Sequence, residues 1–168
     1  MPATNRLTAT LLNIGHALDH LFLLIFATAI GAIAVDFGYS HWEDLMPFGA
    51  GAFLMFGLGS VPAGKLGDTW GRRKLMIIFF IGTGLASLLA AATQNAWQMA
   101  IALTLLGAFS AIYHPVGIPM LVQGATRPGH TIGISGLSGN LGIALVALVT
   151  GFFVAHGGWR LAFIVPGI

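Results

Sequence analysis

The chain contains no cysteine, which excludes a disulfide framework and any thiolate metal site. Charge is nearly as scarce. Only 7% of its 168 residues are Asp, Glu, Lys or Arg, against about 25% in a soluble domain. A chain so poor in charge cannot cover a water-facing surface. What fills the space is apolar: 57% of the residues are hydrophobic, and 24 glycines are scattered among them without a linker or collagen period. Small residues inside apolar runs let helix backbones approach closely in a bilayer. The composition therefore indicates an all-α integral membrane bundle. The formal charge of +2 and the basic pI would suggest nucleic acid in a soluble protein, but here the cations are distributed by membrane topology.

A spanning helix needs about 20 apolar residues. Five such runs are read at 11–35, 45–63, 75–93, 96–121 and 131–155, and a sixth opens at Leu161. From there to Ile168 is too short to cross a bilayer, so the chain is expected to stop inside its sixth helix. Ser40 and Glu43 have capping-box spacing before the second helix, Asn95 is placed to cap the fourth, and Pro128-Gly129 is expected to break the chain before the fifth.

Six cations, Arg6, Lys65, Arg72, Arg73, Lys74 and Arg127, fall on one side of the expected topology, and Arg160 alone on the other. The positive-inside rule then puts the N-terminus in the cytoplasm and the chain in a cell (inner or plasma) membrane as a multi-pass protein. A cleaved signal peptide is disfavoured, because Asn13, His16, Asp19 and His20 interrupt the first run and the run is too long for one. The stretch Gly59-Ser60-Val61-Pro62-Ala63-Gly64-Lys65 imitates the start of a phosphate-binding loop. Leu66 stands where Ser or Thr is required, and no strand precedes it.

Between the second and third runs lies Gly64-Lys65-Leu66-Gly67-Asp68-Thr69-Trp70-Gly71-Arg72-Arg73-Lys74. This resembles the signature loop of the major facilitator superfamily, in sequence and in its place between helices two and three. Thr69 departs from the arginine usual there. Asp68 and Arg72 are four apart and can pair if the turn is helical, and the glycines suit a tight reversal between helix ends. The resemblance implies that Gly64, Asp68, Gly71, Arg72 and Arg73 form a conformational-gating motif. In it the aspartate meets a helix N-terminus of the other half, a charge–dipole term of about 0.3–2 kcal/mol. Gly158-Trp159-Arg160 followed by Phe163 is similar to the superfamily's connection between helices five and six.

Three short patches are similar to the fosmidomycin-resistance-like drug exporters of that superfamily: Gly15-His16 with Asp19, Tyr113-His114-Pro115, and Gly139-Asn140-Leu141-Gly142. Val116 replaces the acid that usually follows the proline. The implied architecture is the N-terminal helical bundle of the superfamily, five complete helices and the start of a sixth, with a six-helix C-terminal half as partner. Helices one and four would line a central cavity.

Ionisable groups inside membrane helices are costly and point to function. His16, Asp19 and His20 lie at i, i+3 and i+4, on one face of the first helix. Asp19 is expected about 12 Å from the cytoplasmic end, with His114 at similar depth. The candidates for proton coupling and substrate contact are Asp19, His16, His20, Tyr113, His114 and Asn140. Two other readings stand beside this one: the groups satisfy each other and fix helix packing, or His16, Asp19 and His20 hold a metal ion. His41, His130 and His156 are expected in loops. Pro115 and Pro119 should kink the fourth helix. Gly82, Ala86 and Ala90, and Gly133, Gly136, Gly139 and Gly142, form small-residue rows in the third and fifth.

The expected function is secondary active transport by alternating access, with proton-coupled export of a small organic molecule as its leading form. Uptake of an organic anion or a metal ion, or a non-transporting membrane scaffold, are the alternatives. No nucleophile–base pair or intact cofactor loop is present, so neither an enzyme nor a cofactor is expected. The partners are the lipid bilayer, a small-molecule substrate and protons, with no nucleic acid.

Overall fold

The computed structural model describes residues 5–168, and no strand occurs among the described residues. α1 runs Arg6–Asp36, with Asn5 accepting a hydrogen bond from the Thr8 amide as its N-cap. Helix α1 therefore opens five residues before the expected 11, and its 31 residues measure about 46 Å. Asp19 sits about 20 Å from its start, near the middle.

The capping box at Ser40 and Glu43 is not formed. His41 is the N-cap of a 3₁₀ segment, Trp42–Gly49, and makes no side-chain cap bond. Pro47 lies inside that segment and has no N–H for the helical ladder, so the regular α2 begins only at Ala50 and continues to Leu66. A π-turn, Gly67–Gly71, leads directly into α3, Arg72–Ala91. α4, Ala96–Ser110, is capped by Asn95 as expected, its side chain accepting from the Gln98 amide. A second π-turn, Tyr113–Gly117, and a short α5, Ile118–Val122, follow. α6 runs Pro128–Gly157 and α7 runs Trp159–Gly167. Pro128 opens α6 at its first turn, where a missing N–H costs nothing.

The described residues contain four helical stretches long and apolar enough to cross a membrane, not five: Arg6–Asp36, Trp42–Ala91, Ala96–Val122 and Pro128–Gly157. The difference arises at the signature segment, which winds as helix where a loop was expected, so α2 and α3 join in one 50-residue run. That run is not straight. Gly71 has φ +99°, which no helical residue adopts. α2 meets α4 in rising order, Gly51 against Thr104, Gly59 against Ala111, and Gly64 against Pro115. α3 meets it in falling order, Phe79 against Tyr113 and Gly82 against Phe109. The two limbs thus run antiparallel, and the chain reverses at Gly71.

Packing follows the small residues. A Cβ on Gly142 would collide with the Ala17 carbonyl of α1, and one on Gly107 with the Ala52 carbonyl of α2. These glycines bring backbones into contact, which lipid-solvated helices need because burial from water does not drive them together. Gly82, Ala86 and Ala90 are packed, whereas Gly133 and Gly136 have open space around them. Large apolar side chains point outward all round, among them Phe53 and Leu58 of α2 and Leu137 and Leu148 of α6, as a lipid-facing surface requires.

Buried side chains form two apolar clusters. One gathers Leu21–Ala34 residues of α1 with Ala86, Ala90, Leu103, Leu106 and Phe163. The other surrounds the second π-turn, with Leu12, Leu75, Phe79, Tyr113 and Val116. Along α1 the polar residues His16, Asp19 and His20 fall between the two clusters, and along α4 Ser110 does the same. A polar layer therefore separates two apolar ones.

At the far end, Arg160 donates to Asp36 at 2.8 Å and to the Thr93 carbonyl at 3.1 Å, while Trp159 Nε1 donates to Asp36 at 3.3 Å. One guanidinium, lying 4.3 Å above the Trp159 ring, thereby ties α1, the α3–α4 turn and the α6–α7 turn.

Candidate functional site

Each wall of the site has a local cause. On α1 the 3.6-residue repeat puts His16, Asp19 and His20 on the face turned to α4 and α6. On the second wall, Pro115 offers no N–H to the carbonyl of Ala111, so the α ladder opens and the wider π winding takes over. Gly117 leaves room for the Tyr113 ring, which a Cβ there would meet at 2.9 Å. The third wall is α6, where Gly139 has no side chain opposite the imidazoles. A Cβ at 139 would come within 2.8 Å of His16 Nε2 and 2.9 Å of His20 Cδ2.

The result is a cluster of rings around one point. The His16 ring centre is 5.0 Å from that of His20 and 5.0 Å from that of His114, and His20 is 5.4 Å from His114. Tyr113 stacks on His16 at 4.7 Å and donates its hydroxyl to the Leu12 carbonyl at 2.7 Å. His16 Nδ1 and Ser135 Oγ are paired at 2.9 Å, the imidazole tautomer deciding which donates. Asp19 is wholly buried, its Oδ2 lying 3.5 Å from His114 Nδ1.

Hydrogen bonding in this layer is incomplete. Both Asp19 oxygens, His16 Nε2, His114 Nδ1, Ser110 Oγ and Asn13 Oδ1 are buried without a well-formed hydrogen bond, although Ser110 and His114 both neighbour the Asp19 carboxylate. Each such group costs about 1–3 kcal/mol, and soluble cores rarely accept them. They are concentrated on one spot, the layer between the two apolar clusters. His114, 35% exposed in its side chain, connects the spot to the surface.

Asp19, His16, His20, Tyr113 and His114 are thus brought together. Asn140 is not: it is exposed on α6, while its neighbour Gly139 faces the cluster. The metal set read from sequence, His16, Asp19 and His20, takes another form. Nitrogens of His16, His20 and His114 lie within 4.8 Å of one another, and Asp19 stands beside His114. Pro115 lies inside the second π-turn, and Pro119 lies in the first turn of α5, which continues directly from it. His41 is exposed ahead of the 3₁₀ segment, and His130 and His156 are exposed near the ends of α6 rather than in loops.

In the signature segment, Arg72 donates to Asp68 at 3.2 Å across the π-turn. Gly64 and Gly67 let the segment approach Pro115 at 3.3 Å and Val116 at 2.9 Å, measured from a Cβ built on each glycine. Arg73 and Lys74 are exposed. Sequence reasoning missed Ser110, Ser135 and Asn13. A serine in an apolar helix ordinarily bonds its own backbone, so its type alone gave no signal. Spacing did carry one: Ser110 is four residues from His114, and Ser135 four from Gly139.

The profile of the Major Facilitator Superfamily matches residues 12–168, and the chain belongs to that superfamily. It is similar to the puromycin resistance protein of Streptomyces alboniger, with 30% identity over 64% of this chain and 22% of that protein. Similarity extends to a "Probable hexose phosphate transport protein" of Chlamydia pneumoniae, 26% identical over 92% of this chain and 34% of the relative. The multidrug efflux pump LfrA of Mycolicibacterium smegmatis is 31% identical over 84% of this chain and 28% of its own length. The chain therefore spans about a fifth to a third of the relatives it matches.

Proposed function

We infer that the chain is the N-terminal part of a secondary active transporter that works by alternating access, with α2 and α3 as separate crossings and a C-terminal half completing the cavity. The leading form is proton-coupled export of a small organic molecule across a cell membrane, the N-terminus being cytoplasmic. One observation carries the reading: Asp19, 0% exposed, lies at the middle of a membrane helix among imidazoles from two helices. A carboxylate in that position is retained for function by default, and imidazoles beside it can pass a proton as the cavity changes sides.

The cation asymmetry supports the orientation, and Arg160, bound to Asp36, caps the opposite end. Export is supported by two relatives named for drug resistance and drug efflux. Uptake of an organic anion is the second reading, favoured by the relative named for hexose phosphate. Asp68, exposed, and Arg72, half-buried, at the reversal between α2 and α3 would meet the C-terminal half and bias the conformational equilibrium.

The test uses the full-length protein in liposomes with an imposed proton gradient, following substrate flux and internal pH together. Asp19→Asn should abolish flux driven by the gradient while leaving counterflow exchange measurable. Gradient-driven flux at the wild-type rate in that variant would remove Asp19 from coupling.

A further inference from the structure

We propose that His16, His20 and His114 form a binding site for a divalent transition-metal cation of the zinc and cobalt type, with Asp19 as the carboxylate that orients His114. Zinc-type ions take neutral imidazole nitrogen at about 2.0–2.1 Å, and three such ligands leave a fourth position for a water or cargo group. In a tetrahedral site those nitrogens are about 3.3 Å apart. Here they lie within 4.8 Å of one another, so the rings close in by up to about 1.5 Å to share one ion.

The arrangement around the rings distinguishes a metal site from ordinary packing. A ligating imidazole almost always engages its other nitrogen with a carboxylate or another polar group, which fixes the ring. His16 uses Nδ1 on Ser135 at 2.9 Å and keeps Nε2 buried and unpartnered. His114 turns Nδ1 to Asp19 at 3.5 Å, which leaves its Nε2 as the ligating atom. His16 is therefore held from behind by a hydrogen bond to Ser135 of α6, and His114 has the Asp19 carboxylate of α1 3.5 Å from its Nδ1. Asp19 also offsets one of the two positive charges that a bound cation brings into a buried layer. Gly139 supplies the space, since a Cβ there would fall 2.8 Å from His16 Nε2. Entry is through the half-exposed side of His20 and His114. All ligands are nitrogen, which favours zinc, cobalt or nickel over magnesium or calcium.

The proposal uses the same cluster as the transport reading, and equilibrium binding tells the two apart. Untagged protein in detergent is titrated with cobalt(II), and the visible absorption of a tetrahedral nitrogen-ligated ion is followed. One cobalt per chain is expected. His16→Gln, His20→Gln and His114→Gln should each weaken binding more than about 100-fold, and Asp19→Asn about 10- to 100-fold. The triple variant His41→Gln, His130→Gln, His156→Gln should bind as the wild type does. No cobalt spectrum in the wild type overturns the site, as does unchanged affinity in well-folded variants of the three ligands. If the variants fail to fold, X-ray absorption of the wild-type zinc adduct decides: three imidazole neighbours support the site, and one or none overturns it. Asp19-dependent flux without cobalt binding would overturn the metal site and leave the transport reading standing.

Discussion

Gly142→Ala adds a single methyl group, and the structure locates its collision. The new Cβ would fall on the Ala17 backbone of α1, with the carbonyl oxygen and carbon and the Cα all inside ordinary contact, which begins at 3.4 Å. Backbone in the middle of a 31-residue helix cannot rotate aside as a side chain does. α1 and α6 must separate by more than about an ångström, and close-packed interiors transmit such a shift. Overpacking of this kind costs about 1–3 kcal/mol. At about 2–4 °C per kcal/mol for a chain of this size, the melting midpoint should fall by about 2–12 °C.

The same helix provides the control. Gly136 has nothing within 4 Å of a built Cβ, so Gly136→Ala should leave stability unchanged or raise it by up to about 1 kcal/mol through helix propensity. Intrinsic tryptophan fluorescence on heating in detergent measures both variants, and four tryptophans report. The separation should also reach the polar layer, because His16 pairs with Ser135 across the same interface at 2.9 Å. Equal melting of Gly142→Ala and Gly136→Ala would refute the claim that α1 and α6 meet backbone to backbone.

Tyr113→Phe removes the bond to the Leu12 carbonyl at 2.7 Å; that carbonyl lies within α1 and keeps its helical bond, so thermal melting should show a loss of about 0.5–1.5 kcal/mol. Arg160→Lys keeps the charge but cannot reach both Asp36 and the Thr93 carbonyl. With both ion-pair partners a third or more exposed, the loss should be small, about 0.2–1 kcal/mol in the same assay. Asp68→Asn should leave melting within about 0.5 kcal/mol of wild type, because its pair with Arg72 is 71% exposed at the aspartate. In full-length protein in liposomes the same variant should depress flux.

Hydropathy alone located the apolar runs, because a membrane helix writes its length into about 20 successive residues. It did not show where helical hydrogen bonding continues past the membrane. Asn5 was available as a cap, yet Thr8, Thr10 and Asn13 broke the apolar pattern that would have started α1 there. The segment Gly67–Gly71 read as a loop for the same reason: its polarity was visible, its winding was not. Within the site, the i, i+3, i+4 rule found the α1 face outright, since those three residues share one helix and need no tertiary knowledge. His114 joined them by depth counting, which survives small boundary errors. Asn140 shows the limit of that method. It lies one residue from Gly139, and on a helix one residue is 100° of rotation, so Asn140 is turned away from the histidine cluster. Which face of α6 meets α1 is decided by Gly139 and Gly142, whose missing side chains admit the His16 ring and the Ala17 backbone. Of the four glycines in that row, two are buried against α1 and two are open, and no property of glycine itself distinguishes them. The distinction arises only from the neighbour each one meets, and for that reason the substitutions at 136 and 142 test the packing more sharply than any change within the histidine cluster.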